Sequence, residues 1–207
     1  MNGQGGIAVS ELLVPSVVEN INGNDQHTDL VSRALVKNRT IYLTGEINDM
    51  VALSVIAQIS YLDEKSEAPI RIIINSPGGS VTAGLAIYDA MRGSRCAVST
   101  IATGVAASMG AFLLAGGTKG HRFATQNAEI MIHQPSAGTQ GKVSDMEVNL
   151  EHFLHVKQRL NRIMAQNTGK PEQKVREDSE RDFWLSAEDA IDYGIVDKIA
   201  DMGVLRG

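Results

Sequence analysis

A chain of 207 residues, 43% hydrophobic and 21% charged, is the size of one globular domain with a sizeable core, so anything appended to that domain must be small. A formal net charge of -5, with 19 Lys and Arg scattered along the chain, removes the electrostatic footprint of a nucleic-acid binder or a membrane-surface protein. Cys96 is the single cysteine, which excludes an internal disulfide and a cysteine-based metal cage and makes a reducing cytoplasm the simplest location.

Residues 1 to 27 read as a flexible arm. Gly and polar residues precede the apolar segment Leu12 to Val18, and Asn20 to Asp25 is turn-like. The start of the chain has no basic region before its apolar residues, so no secretory signal is expected. Residues 28 to 207 read as one α/β domain. Leu30, Ala34 and Leu35 suit a short helix, and Thr40 to Thr44 a strand. From Asn48 to Lys65 apolar residues recur at helical spacing, with Asn48 or Asp49 as cap. The β-branched strand Ile70 to Asn75 runs into Ser76-Pro77-Gly78-Gly79-Ser80, and a helix from Val81 to Met91 precedes a strand at Ala97 to Ala102. Such alternation predicts a parallel sheet covered by helices, with function carried by loops at the strand C-termini, here Asn75 to Ser80 and Thr103 to Ser108.

The run from residue 96 to 118 has no formal charge. Its serines, threonines and glycines fit a buried strand, a turn and a short helix better than a membrane span. Within it, Gly104 to Gly110 places Ser108 among Gly and Ala at a predicted strand-to-helix junction. Small neighbours leave that hydroxyl reachable, and free N–H groups at a helix start suit an oxyanion. Tight packing of helix on sheet would select the same small residues. Further on, Glu129 to His133 reads as a strand ending on a histidine, before Gln134-Pro135 and a Gly-rich segment. Apolar residues from Val143 to about Asn167 mark an amphipathic helix of about 25 residues, ~37 Å long. That exceeds what a core of this size needs, so its stripe is expected against another chain. A helix after Pro171, a capped helix from Ser186 to Tyr193 and a terminal strand complete the chain.

Acyl transfer through serine needs a base, a group that orients it and donors for the oxyanion. Of the five histidines, His27 lies in the polar N-terminal region and His121 on an expected surface strand beside Arg122. His152 and His155 share a helix face with no third metal ligand evident, which suits a solvated or interface surface. His133 remains as the candidate base, although a structural histidine fits the same position. Asp182 precedes the apolar Phe183-Trp184-Leu185, where a carboxylate would be drawn inward and need a partner. Asp178 is its rival, and spacing does not decide between them. The glycines of Ser76 to Gly79 suit a second oxyanion donor, with Gly79 and Met109 supplying the two N–H groups. A phosphate cradle is weak here because no Lys follows the glycines.

Four motifs in order carry a resemblance: Asn75-Ser76-Pro77-Gly78-Gly79, the Gly104 to Gly110 heptad, Met131 to Pro135, and Glu180-Arg181-Asp182. Together with the spacings between Ser108, His133 and Asp182, they make the chain similar to the ClpP family of Clp protease proteolytic subunits from about Leu12 to Ile199. The resemblance implies a ClpP/crotonase-like superhelix of βαβ units, with a handle at about residues 134 to 167 that interlocks two seven-membered rings. It implies Ser108 as nucleophile, His133 as general base and Asp182 rather than Asp178 as orienter, with Gly79 and Met109 as oxyanion donors. Arg181 would couple ring-to-ring contact to that triad. Residues 1 to 27 would line an axial pore. No metal or other cofactor is implied, since ATP is used by the partner, a Clp-class AAA+ unfoldase that feeds unfolded polypeptide into the chamber.

The chain departs from the family on one surface. Where aromatic residues commonly receive the unfoldase's docking loops, the matching positions are Arg71, Ile73 and Gly93, which lose much of that anchoring area. An extra residue falls around Ala34 to Asn38, and Ser136-Ala137 stands where Leu-Gly is common. The expected function is therefore a serine endopeptidase subunit, in homomeric rings or in rings mixed with a second ClpP-type subunit. The alternatives are a structural or regulatory ring subunit with weak unfoldase docking and a crotonase-type acyl-CoA enzyme that shares the oxyanion hole without the serine nucleophile.

Overall fold

The structure of the chain, a computed structural model, describes residues 14–21, 23–136, 138 and 140–200. Most of the expected arm, residues 1–13, lies outside that range, as does Ala137. Where Asn20 to Asp25 read as turn-like, strands β1 (Ser16–Ile21) and β2 (Asn24–Asp29) pair antiparallel from Ser16↔Asp29 to Ile21↔Asn24. The chain reverses at Gly23, φ 83°, so polar composition hid a hairpin. The boundary expected after residue 27 falls inside β2.

Helix and strand then alternate as their periodicity predicts, through α1 (Leu30–Asn38), β3 (Thr40–Thr44), α2 (Asp49–Lys65), β4 (Ile70–Ser76), α3 (Val81–Gly93) and β5 (Val98–Ala107). Asn48 caps α2, its side chain accepting from the Val51 N–H at 3.0 Å. At the other end of α2, Arg39 donates to the carbonyls of Leu62, Ser66 and Ala68. A cation there satisfies carbonyls that the helix itself cannot. The rest of the chain forms α4 (Met109–Ala115), β6 (Arg122–Thr125), β7 (Glu129–Ile132), α5 (Val143–Thr168), α6 (Glu172–Asp178), β8 (Phe183–Leu185), α7 (Ala187–Tyr193) and β9 (Lys198–Ala200).

The main sheet runs β3-β4-β5-β6-β9, all parallel. Strand β7 pairs parallel with β5, and β8 pairs antiparallel with β7. Ile70, Ile72 and Ile74 of β4 are all but inaccessible to solvent; each such side chain contributes roughly 1.5–3 kcal/mol by leaving water. Every residue of α4 is buried, so the helix that follows Ser108 is enclosed by the core. This is the mostly parallel α/β arrangement that the motif order predicts.

Two expectations fail here for definable reasons. Thr103 to Ala107 is strand rather than loop, because β5 changes partner along its length. It pairs with β6 through Thr100–Ala102 and with β7 through Val105–Ala107. Gly104 makes the bend at φ 66°, where a Cβ would stand 2.9 Å from Asn75 Oδ1. Strand β6 is also not a surface strand. His121 is exposed, but Arg122 is 3% exposed and forms an ion pair with Asp197 at 2.6 Å. The charge on Arg122 concealed its interior position.

Helix α5 has 26 residues, about 39 Å of helix. Leu160, Asn161 and Met164 in its C-terminal half are buried, while Val143, Val148, Leu150 and Leu154 in its N-terminal half are exposed. The first half projects from the core, as its length predicted. Among the described residues no helix is long and apolar enough to cross a membrane.

Candidate active site

Ser108 occupies the tight turn between β5 and α4 with φ 55° and ψ -120°, a conformation that costs a non-glycine residue about 1–3 kcal/mol. Its backbone is held on both sides. The N–H donates to Met131 O at 2.8 Å, extending the β5 to β7 pairing, and the carbonyl accepts the Phe112 N–H at 3.0 Å, opening α4. The side chain makes no cap bond, so the hydroxyl is free to project from the turn. Close approach explains the small neighbours: a Cβ on Gly110 would lie 2.9 Å from Ser76 O.

His133 follows β7 directly. Its Nε2 lies 2.9 Å from Ser108 Oγ and its Nδ1 lies 2.9 Å from Asp182 Oδ1. With Asp182 ionised and accepting, Nδ1 carries the ring proton and Nε2 is left to accept from the serine hydroxyl. Three residues far apart in sequence thus form one hydrogen-bonded chain. Asp182 is not drawn inward as the sequence suggested, since its side chain is 62% exposed. Among the described residues the short strand β8 pairs only with β7; it turns Trp184 to solvent, packs Phe183 partly against the core and buries Leu185. The rival carboxylate is committed elsewhere: Asp178 accepts from Lys174 Nζ at 2.7 Å and Tyr193 OH at 2.9 Å.

The loop after β4 leans on this turn. Ile47 N–H donates to Gly78 O and Ser80 N–H donates to Ile47 O, each at 2.8 Å, a parallel bridge centred on Gly79. Such a bridge engages the flanking residues and turns Gly79's own N–H to the opposite edge. By the order β3-β4-β5, that edge faces the Ser108 turn. Gly78 fills the gap: its Cβ would stand 2.7 Å from Ser108 Cβ and 3.0 Å from Met109 N. Met109, as first residue of α4, has an N–H with no partner inside the helix. Among the described residues no bond engages the N–H of Gly79 or of Met109, so both stand as candidate donors beside the serine.

An apolar pocket opens at Ser108, lined by Val81, Met109, Phe112, Ile132, Leu160 and Met164. A larger cleft of about 540 Å³ continues between α3, the segment after Pro135 and α5. Composition did not reveal the polar cluster under His133. Lys157 Nζ donates to Gln134 Oε1 at 2.7 Å and to Glu180 Oε1 at 2.9 Å, and Gln134 N–H donates to Ser179 O at 2.6 Å. The bond from Lys157 holds the Glu180 carboxyl below the usual range. A lone lysine on a long helix carries no pattern that would have marked it.

The remaining candidates are dispersed. Arg71 and Ile73 lie on the half-exposed face of β4. Arg71 donates to Asn38 O at 3.0 Å and lines a cavity of about 160 Å³ with Arg33, Thr40 and Tyr42. Ile73 and Gly93 do not line it, and a Cβ on Gly93 would meet nothing within 4 Å. Arg181 is exposed. His152 and His155 stand on α5, the latter 3.7 Å from Glu151.

The model of the family described as Clp protease matches residues 22–203, a span running from the β1 to β2 hairpin past β9 and including every residue placed around Ser108. Since the match extends over most of the sequence, the chain belongs to the Clp protease family.

Proposed function

We propose that the chain is a serine endopeptidase subunit that cleaves unfolded polypeptide through an acyl-enzyme. The single observation that carries this is the Ser108, His133, Asp182 chain, two contacts of 2.9 Å in the order nucleophile, base, orienter. Ser108 Oγ attacks the scissile carbonyl carbon as His133 Nε2 takes the hydroxyl proton. The carbonyl oxygen, now anionic, is met by the N–H groups of Gly79 and Met109. Collapse of the adduct breaks the C–N bond, and the proton on Nε2 passes to the leaving amine. A water then attacks the ester, His133 again acting as base, which releases the acid and restores the serine. Asp182 holds the imidazole in the required tautomer throughout.

The apolar pocket beside Ser108 suits an apolar side chain next to the cleaved bond. The adjoining cleft has room for several residues of extended peptide. The exposed apolar face of α5 supports assembly into stacked rings. Family membership supports an AAA+ unfoldase as partner. Arg71 in a polar cavity, with open space at Gly93, supports weaker docking of that partner than aromatic residues would give, and so a place beside a second ClpP-type subunit.

The test is to label Ser108 with a fluorophosphonate and to measure cleavage of a fluorogenic peptide and of an unfolded protein, each with and without a Clp-class unfoldase and ATP. The expected results are labelling and peptide cleavage that Ser108→Ala abolishes, with little stimulation by unfoldase. Peptide cleavage that survives Ser108→Ala would overturn the mechanism. Strong stimulation would overturn the docking argument.

A further inference from the structure

Ser76 is 0% exposed and lies at the end of β4, two residues before the glycines of the oxyanion loop. Its hydroxyl donates to Gly45 O at 2.6 Å and accepts the Gly78 N–H at 3.1 Å. A buried hydroxyl bonded as both donor and acceptor is satisfied and has one orientation. Its two partners belong to different segments: Gly45 follows β3 directly, and Gly78 is in the loop that carries Gly79.

That loop has little else to hold it. Pro77 has no N–H, and Gly78 and Gly79 take φ values of 98° and 148°, which glycine enters without preference for them. Three bonds define the path of the loop: Ile47 N–H to Gly78 O, Ser80 N–H to Ile47 O, and Gly78 N–H to Ser76 Oγ. The first two fix the edge from which Gly79 N–H projects. The third fixes the plane of the peptide unit before Gly78, where an added Cβ would come within 3.0 Å of Ala107 O, Ser108 Cβ and Met109 N. The backbone carbonyl of Ser76 also faces Gly110, where a Cβ would approach it to 2.9 Å. One residue therefore bonds the turn after β3 to the oxyanion loop and lies close against the start of α4.

We propose that Ser76 is a positioning residue for the oxyanion hole: its hydroxyl holds the Gly78-Gly79 loop so that Gly79 N–H is aimed at the substrate oxygen. This rests on the peptidase reading above and deepens it. Ser76 touches neither substrate nor the triad. Its effect falls on the transition state, because the hole gains most of its interaction when the carbonyl oxygen becomes anionic.

The experiment compares Ser76→Ala with Ser99→Ala in the assembled protein. Ser99 is a second buried hydroxyl that donates to a carbonyl, His121 O at 3.0 Å, away from the loop. Loss of one oxyanion donor costs about 100- to 1000-fold in kcat, so a donor left in place but misaimed is expected to cost roughly 10- to 100-fold. In Ser76→Ala, kcat on a fluorogenic peptide should fall by that factor with KM within about threefold, and inhibition by a peptide boronate should weaken in proportion. The shape of the kcat/KM pH profile should not change, since His133 and Asp182 are untouched. Ser99→Ala should lower the melting temperature comparably and leave kcat alone. If Ser76→Ala does not assemble, Ser76→Cys, with a weaker donor of similar shape, takes its place and should give a smaller fall in kcat. An active wild type with kcat unaltered in the Ser76 variant, or reduced equally in Ser99→Ala, overturns the proposal alone. A wild type that neither cleaves the peptide nor reacts with a fluorophosphonate overturns the peptidase reading, and this with it.

Discussion

Gly78→Ala probes the contact between the two halves of the oxyanion site. A Cβ at Gly78 would lie 2.7 Å from Ser108 Cβ, 2.8 Å from Ala107 O and 3.0 Å from Met109 N. Two of those atoms are backbone of the β5 to α4 turn and cannot rotate away. Restoring ordinary contact to the nearest of these atoms requires the loop and turn to separate by about 0.7 Å, since ordinary contact begins at 3.4 Å. A misplacement approaching 1 Å costs about 100-fold in rate, so kcat on a fluorogenic peptide should fall about 10- to 100-fold, with KM within about threefold. The alanine must also hold φ 98°, which adds roughly 1–3 kcal/mol of destabilisation. Gly120→Ala separates the two effects. Gly120 has a similar φ of 87°, but a Cβ there meets nothing within 4 Å, so that variant should lose stability and retain kcat. Folded Gly78→Ala with kcat within about threefold of wild type, or Gly120→Ala with the same loss of kcat, would refute the argument from steric wedging.

Asp182→Asn should lower kcat by about 10³- to 10⁴-fold on the same peptide while leaving the fold intact, because the amide no longer selects the tautomer in which Nε2 accepts. Arg122→Met leaves the partly buried Asp197 carboxylate without its counter-ion and should cost about 3 kcal/mol in urea unfolding, the low end for a buried pair, most of it regained in Arg122→Met/Asp197→Asn. Stability should decline as pH falls below about 4. Burial alone would raise the Asp197 carboxyl, but bonds from the Arg122 guanidinium and from the Arg122 and Gly120 N–H groups outweigh it, and the net shift is downward. Hydrogen bonds from Ser94 and Arg95 hold Asp63 far below the carboxylate range. Carboxyls depressed in the folded state stabilise it above their unfolded pKa and lose that contribution as pH drops through the folded value. Urea midpoints against pH check this, and Asp197→Asn should flatten the decline. Leu154→Glu, on the exposed face of α5, should lower the native assembly mass without altering the circular dichroism of the subunit.

Much of this protein is legible along the chain because its signals are local. Alternation of β-branched strands such as Ile70 to Asn75 with amphipathic helices reports a covered parallel sheet, and Asn48 and Ser186 mark helix starts by hydrogen bonds to residues three positions on. The length and stripe of α5 announced a projecting helix for the same reason. The small residues around Ser108 reported a close approach of backbone, since such an approach excludes side chains, but tight packing alone would select them too, and only the order of the four motifs singled the serine out.

Pairings across the sheet decided the rest. Whether Thr103 to Ala107 is loop or strand depends on β5 exchanging β6 for β7, which no stretch of sequence contains. The exposure of Asp182 and the burial of Arg122 invert what charge and neighbouring hydrophobicity suggest, and the engagement of Asp178 by Tyr193 is a contact that spacing does not show. A charged group's position follows from partners that tertiary contact supplies. The direction of Gly79's N–H is the clearest case. Two glycines in sequence permit almost any direction, and only the bridge to Ile47 together with the Ser76 hydroxyl selects one.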